Sequence, residues 1–436
     1  VDEGRNPADG ALDERLAAAR RRYADRRPRS AELFERASAV MPGGSTRSVL
    51  DVRPFPFRVA EAHGARLVDV DGFEYRDFLG DFTAGLLGHD PGPVAAAVTA
   101  RLAHGWSLGA THTDEIRLAE LVTGRFPSID RVRFTNSGTE ANLMAVQLAR
   151  HATGRDGVLV FDGAYHGGLL YFGVGGEALQ APFRFHRARY GDLGSVEAIL
   201  AEHGPSIACV LVEPMMGAAG CIRPPEGFLA GLRERCDHHG VLLVFDEVMT
   251  SRMSAGGAQA RLGITPDLTS LGKYLAGGMT FGAFGGRADL MAAFDPAEGG
   301  TLSHGGTFNN NVVSMAGGVA ALSEVLTPQV LDELFDRGER LRRRVAEVLA
   351  AAPGSTPWTV TGWGSMLALH PVAGPVTSPG DLAGADPRWR ELLFHELLER
   401  GVYLAPRMFV ALSIAITDAD VDHFVAALAD ALAALA

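Results

Sequence analysis

From about residue 90 to residue 325 the chain alternates helical runs with short apolar ones, at Arg131–Thr135, Gly157–Phe161, 207–213 and 241–246. Short continuous apolar runs between helices read as strands buried on both faces, and their alternation with helices predicts a mainly parallel sheet under a helical cover. One more short strand is expected over 267–272, with the glycine-rich stretch 277–286 after it.

The flanks are patterned differently. Residues 11–24 and 30–40 read as two short amphipathic helices, the second capped by Ser30. Pro42, Gly43 and Gly44 leave no room for a helix or central strand, so 41–47 is a loop and Arg47 is held on it. Residues 68–75 alternate apolar and polar around Asp71-Gly72, which predicts a hairpin. Beyond Pro328 come a long helical stretch, an apolar run at 360–370, a helix near 388–400, a strand candidate at 409–416 and a last helix from Thr417. The Pro-, Gly-, Ala- and Asp-rich 373–387 is the expected flexible loop. Three units follow: an N-terminal arm with a small-domain segment over 1–89, a large domain over 90–325 and a smaller α+β unit over 326–436.

Composition narrows the function classes. With 47% hydrophobic and 21% charged residues the chain reads as an ordinary soluble globular protein, and a net charge of -12 offers no positive field for nucleic acid. The arginines between Arg20 and Arg29 have acidic neighbours and are expected to form a solvated helix face. Cys209, Cys221 and Cys236 show no metal-ligand spacing, so no metal is expected and a reducing, cytoplasmic compartment is. No charge-free apolar stretch approaches membrane-spanning length.

The candidate chemistry collects at strand ends, where open α/β sheets bind ligands. Asp246 ends the run 241–246, and Lys273 follows 267–272 in the apolar, glycine-rich setting Leu271-Gly272-Lys273-Tyr274. Burial there disfavours the ammonium and leaves a nucleophilic amine. An amine and a carboxylate so placed suit pyridoxal phosphate, which needs a lysine for covalent attachment and an acid that keeps its ring nitrogen protonated. Asn136-Ser137-Gly138-Thr139-Glu140 joins a strand to a helix, so it is either a helix cap or a phosphate site, and the lysine and carboxylate favour the phosphate. Tyr165-His166 lies past another strand end, where a ring could stack on a flat cofactor, and Glu213 ends a further strand as a candidate hydrogen-bond partner. The polar 304–311, with Thr307, looks like a ligand-lining loop.

Together, 135–141, Tyr165-His166-Gly167, Val212-Glu213-Pro214, 245–248, Leu271-Gly272-Lys273 and Gly306-Thr307-Phe308 resemble the class III, fold-type I aminotransferases that use pyridoxal 5′-phosphate. The resemblance covers nearly the whole chain. It is strongest to the glutamate-1-semialdehyde aminomutase branch and, through 41–49 and Ala405-Pro406-Arg407, to the β-phenylalanine (β-amino acid) aminotransferases. It implies a mainly parallel seven-stranded sheet with a smaller α+β domain, and a cytoplasmic homodimer with shared active sites. It further implies that Lys273 attaches the cofactor and shuttles the proton, and that Asp246 pairs with the ring nitrogen. Ser137, Gly138 and Thr139 would hold the phosphate, with Thr307 reaching it from the other subunit, while Tyr165 and Val248 would cover the two ring faces. Arg47 and Arg407 would anchor carboxylates, because a β-amino acid and a 2-keto acid present theirs at different distances from the reacting carbon. The aminomutase is the alternative, and the chain has Ser45-Thr46-Arg47-Ser48 where that enzyme's loop would carry an Asn-Ser-Pro-Val-Arg pattern. A non-catalytic regulatory protein binding the same cofactor is a remote one, since Lys273 and Asp246 are both present.

Overall fold

Seven strands form the central sheet, in the order Arg131–Thr135, Gly282–Gly286, Leu268–Gly272, Leu242–Asp246, Ile207–Val212, Gly157–Phe161 and Arg184–Ala188. The structure is a computed structural model and describes residues 7–354 and 356–436. Gly282–Gly286 runs antiparallel to both neighbours and the remaining pairs are parallel, so the sheet is mainly parallel as the alternation predicts. Its central strands are buried along their whole length, which is why they read as unbroken apolar runs.

Two of the seven strands escape the sequence reading. Arg184–Ala188 is an edge strand, largely accessible and carrying three cationic or titratable side chains, so no apolar run marks it. Gly282–Gly286 carries too few side chains to show a pattern. Its glycines are required by close approach: a Cβ on Gly282 would lie 2.1 Å from the carbonyl oxygen of Ser137.

The N-terminal hairpin forms where expected, with Leu67 opposite Tyr75, and the short strand Val402–Tyr403 joins it in parallel. A third sheet contains Thr359–Trp363, Met366–His370 and Phe409–Ala411. The expected strand 409–416 is thus cut to three residues. The first helices span Pro7–Arg26 and Pro28–Ser38, and Ser30 is not a cap. Pro28 starts the second helix two residues earlier, and the Asp71 carboxylate takes the N–H groups of Arg29 and Ser30 at 2.8 and 3.0 Å. The N-terminal arginines form the expected solvated face in part, since Arg21, Arg22, Arg26 and Arg29 are exposed, but the face is also tied to a later helix. Arg20 and Arg22 pair with Glu391 and Glu396 of the helix Pro387–Glu399 at 2.6 and 2.7 Å, and Arg26 meets Glu399. Arg27 is only 1% exposed, packed on Tyr23 and donating to the Tyr75 hydroxyl. Among the described residues, no helix is long and apolar enough to cross a membrane.

Candidate active site

Every parallel strand of the sheet points its C-terminal end to one edge, and the residues singled out by sequence follow from that. Asp246 is the last residue of its strand, Glu213 directly follows Val212, and Lys273 directly follows Gly272. Ser137 comes two residues after Thr135, and Tyr165 four after Phe161. Gly282–Gly286 runs the other way and brings Thr280 and Phe281 to the same edge. These ends surround a cavity of about 520 Å³ lined by Arg47, Ser137, Gly138, Thr139, Tyr165, His166, Glu213, Asp246, Val248 and Lys273 among others. Ten of the twelve residues named from sequence therefore meet in one place.

Asp246 is held by three donors. Its Oδ1 accepts the Val248 N–H at 3.0 Å, and its Oδ2 accepts the Asn142 amide and faces His166 Nδ1, both at 2.8 Å. Asn142 Oδ1 and His166 Nε2 are buried without a partner. Glu213 is a second buried acid nearby, and burial pushes its carboxyl up to about 7, although His166 and the N–H groups of Gly217 and Tyr165 favour the carboxylate. Two carboxyl groups in one cavity thus differ in surroundings, Asp246 ringed by donors from three elements and Glu213 taking backbone N–H groups alone.

Ser137 caps the helix Gly138–Thr153, its Oγ accepting the Glu140 N–H at 3.2 Å while the Glu140 carboxylate takes the Asn136 N–H at 2.8 Å. The cap leaves the serine hydrogen free to donate, so capping and anion binding coexist. A Cβ on Gly138 would sit 2.8 Å from Val248, so backbone and valine approach here as closely as a glycine permits.

Lys273 is the only lysine in the 436-residue sequence; the other 39 cationic side chains are arginines. A lone lysine in an arginine-rich chain is a stronger signal than the local glycine-rich setting. Burial pushes the Lys273 amine down to about 8, with Asp81 opposing and Arg47 assisting. Lys273 is itself left-handed, at φ +58°, and its Nζ donates to the Phe82 carbonyl at 2.6 Å. Asp81, Phe82 and Thr83 have φ of 41°, 52° and 82°, three consecutive non-glycine residues in the left-handed region. Asp81 pairs with Arg47 at 2.8 Å.

Two residues stand apart from the cavity lining. Arg407 is mostly buried behind the Phe82 and Phe409 rings, and its Nε has no partner. Thr307 lines a different cavity with Trp106, Leu108 and Phe308. Tyr165 is 42% exposed and meets Tyr171 edge-on. Sequence reading missed Asn142 and Phe82. Asn142 lies four residues after Gly138, one turn along the same helix face, so spacing could have found it. Nothing in a run of ordinary side chains announces the left-handed turn at Phe82.

Residues 49–432 match the family model Aminotransferase class-III. The chain belongs to this family. It is 50% identical over 418 residues to the β-phenylalanine transaminase of Variovorax paradoxus, covering 96% of each protein. The crystal structure of a β-phenylalanine aminotransferase from the same organism superposes with a TM-score of 0.94 at 49% identity, over 96% of this chain and 97% of that one. A glutamate-1-semialdehyde 2,1-aminomutase of Sorangium cellulosum is 40% identical over 435 residues, 94% of this chain and 98% of that protein. The fold is that of the fold-type I transferases, and this aminotransferase is an enzyme of the class that works with pyridoxal 5′-phosphate, an amino donor and a keto-acid acceptor. The cavity fits that cofactor, since it offers a helix N-terminus for a phosphate, a donor-ringed aspartate, and a neutralisable amine.

Proposed function

We propose that this aminotransferase moves the amino group of a β-amino acid, such as 3-amino-3-phenylpropanoate, to a 2-keto acid, 2-oxoglutarate or pyruvate, by a ping-pong mechanism. The observation that carries the reading is the placement of two guanidinium groups, Arg47 and Arg407, against one ring beside the Lys273 amine. Half identity along nearly the whole length with a β-phenylalanine transaminase supports it, and the aminomutase is the weaker relative.

When bound, pyridoxal phosphate supplies an aldehyde that captures an amine and a ring that accepts the electrons left behind by a departing proton. The chain does the rest. Ser137, Gly138 and Thr139 would hold the phosphate at the helix N-terminus, Tyr165 and Val248 would cover the ring, and Asp246, oriented by His166 and Asn142, would pair with the ring nitrogen. Lys273 would attach the cofactor and, as a free amine, would take a proton from the amine-bearing carbon and return it; here its amine donates to the Phe82 carbonyl. Glu213 sets the position of the Tyr165 and Gly217 backbone at the cavity wall.

The same reading divides the chain at 1–89, 90–325 and 326–436. The pairing of Val402–Tyr403 with the N-terminal hairpin supports joining the first and last segments into one unit. It also makes the protein a cytoplasmic homodimer. Trp106 and Phe308 are 70% and 60% exposed beside Thr307, a face suited to a second copy that receives Thr307 at its phosphate. Thr307→Ala should weaken cofactor retention in dialysis, and sedimentation should find a dimer; a fully active monomer would contradict the shared site.

The anchors divide their work between the half-reactions. Arg47→Ala should raise the KM chiefly for the β-amino donor, and Arg407→Ala should harm chiefly the keto-acid half. Losing one charge-assisted contact is worth about 1.5 to 3 kcal/mol, or roughly tenfold to a hundredfold. With 2-oxoglutarate the separation should blur, because its second carboxylate can take the Arg47 site, whereas pyruvate reports Arg407 alone. Single-turnover rates with each substrate decide it, and equal losses in both halves for both variants would reject the division.

A further inference from the structure

Three consecutive left-handed residues are an expensive way to build a turn, because in each non-glycine residue the Cβ crowds the following carbonyl. Such a segment persists only where the surroundings over-determine it, and these places cluster at working sites. Asp81 lines the cavity, and it and Phe82 each contact a group the proposed reaction uses. Asp81 holds Arg47, and the Phe82 carbonyl holds the Lys273 amine.

The Phe82 ring does something less expected. Arg47 Cζ lies 5.2 Å from its centroid and Arg407 Cζ lies 5.3 Å from the same centroid. Both are within the reach at which a cation is drawn to an aromatic ring. The ring is itself fixed: it is 7% exposed and runs parallel to Phe409, 9° between planes at 6.4 Å, with Arg407 equally near both. Among the described residues Arg407 has no carboxylate partner, and its Nε is buried unpartnered, so aromatic faces are what hold its charge in place. Arg47 is held on one side by Asp81 and rests on the ring as well.

From this we infer that Phe82 is a positioning residue for both substrates, a shared aromatic shelf whose ring fixes the spacing of the two guanidinium groups. The inference rests on the reading of Arg47 and Arg407 as carboxylate anchors. Phe82 touches neither carboxylate in this account; it acts through the arginines. Because one side chain serves both, a change at Phe82 moves the affinity for donor and acceptor together, whereas a change at either arginine moves chiefly one.

The test uses the full-length enzyme loaded with pyridoxal phosphate, with Phe82→Leu and a second variant in which 3,4,5-trifluorophenylalanine replaces Phe82. Trifluorination keeps the shape of the ring and removes most of the negative charge on its face, so it remains informative if the leucine variant folds poorly. Both changes should raise the KM for 3-amino-3-phenylpropanoate and for pyruvate by roughly fivefold to thirtyfold, with kcat changed less than twofold. Phe82→Tyr, which keeps the aromatic face, should restore both. Arg47→Ala and Arg407→Ala are measured alongside. If they raise KM while the trifluorinated enzyme stays within twofold of the parent for both substrates, the shelf is rejected and the anchors stand. A trifluoro effect on one substrate alone rejects the shared shelf, and arginine variants without effect on KM reject the anchor reading beneath it.

Discussion

Lys273→Ala is expected to abolish transamination, lowering kcat by at least roughly 10⁴-fold, since it removes both the covalent attachment and the proton carrier. The sole-lysine sequence makes the test unusually clean. Borohydride reduction of the loaded parent enzyme should fix one cofactor per chain, on Lys273. In the alanine variant no side-chain primary amine remains anywhere, so reductive fixation should fall to the background of the terminal amine. Wild-type stoichiometry of fixation in that variant would sink the assignment, as would turnover within tenfold of the parent. The proton-carrier role is separable: added methylamine should restore part of the rate, because a small amine can take and return the proton from the cavity left by the side chain. The pH dependence has a definite sign. Only the neutral amine attacks an aldehyde, and burial places the Lys273 amine near 8, so the rate of covalent loading should rise with pH and level off above that value. Loading that stays flat from pH 6 to 9 would mean the amine is already neutral or is not the attacking group.

How much of this was legible in the sequence depends on what each residue's role leaves in the pattern. Asp246, Glu213 and Lys273 stand at the ends of buried strands, so a short strand-like run followed by a polar residue marks them directly. The proposed phosphate loop is visible because a helix must begin somewhere: Ser137 and Glu140 are cap residues, and Ser137 also lines the cavity. Strand Gly282–Gly286 is invisible to a hydrophobic pattern because it is built for close backbone approach and not for side-chain burial. The pairing of the N-terminal arginines is not legible locally because their partners, Glu391, Glu396 and Glu399, lie some 370 positions away in the chain. Local charge neighbours could not reveal a docking ladder that the fold assembles. Phe82 is hidden for a third reason: its importance lies in a backbone conformation that ordinary side chains avoid, and such strain leaves no compositional trace. The singularity of Lys273 is a property of the whole chain, so its immediate neighbours do not carry it.

Asp246→Asn should be the second most damaging change, lowering kcat in both half-reactions by roughly 10² to 10⁴-fold, the range expected when a buried charge is taken from its partner. The geometry says why an isosteric replacement fails. One carboxylate oxygen accepts from Val248 and the other receives both Asn142 and His166. In asparagine the second oxygen becomes an NH₂ group, which would point its donors at two donors, the Asn142 amide and the His166 Nδ1–H. Either those side chains turn, Asn142 presenting the oxygen that now lacks a partner and His166 moving its proton to Nε2, or the new amide swings and forfeits the Val248 contact. In each case the negative charge proposed to face the ring nitrogen is gone, and with it the reason for that nitrogen to stay protonated. Asp246→Glu keeps the charge but pushes it one methylene into the cavity, so it should lie between the parent and the asparagine variant. His166→Phe removes one of the three donors and leaves the charge, and a loss of about tenfold is expected, in line with one hydrogen bond to a charged group. The measurements are half-reaction rates followed through the cofactor absorbance, together with the thermal midpoint of the cofactor-free proteins. Glu213 supplies an internal control, because Asp246 is one of the neighbours that push its carboxyl up to about 7. Removing that charge should bring the Glu213 titration down, and a carboxyl-stretch measurement on the asparagine variant should find Glu213 ionised at lower pH than in the parent. An asparagine variant that turns over within tenfold of the parent would show that the carboxylate is there to brace Asn142 and His166, and that the ring nitrogen is served by another group.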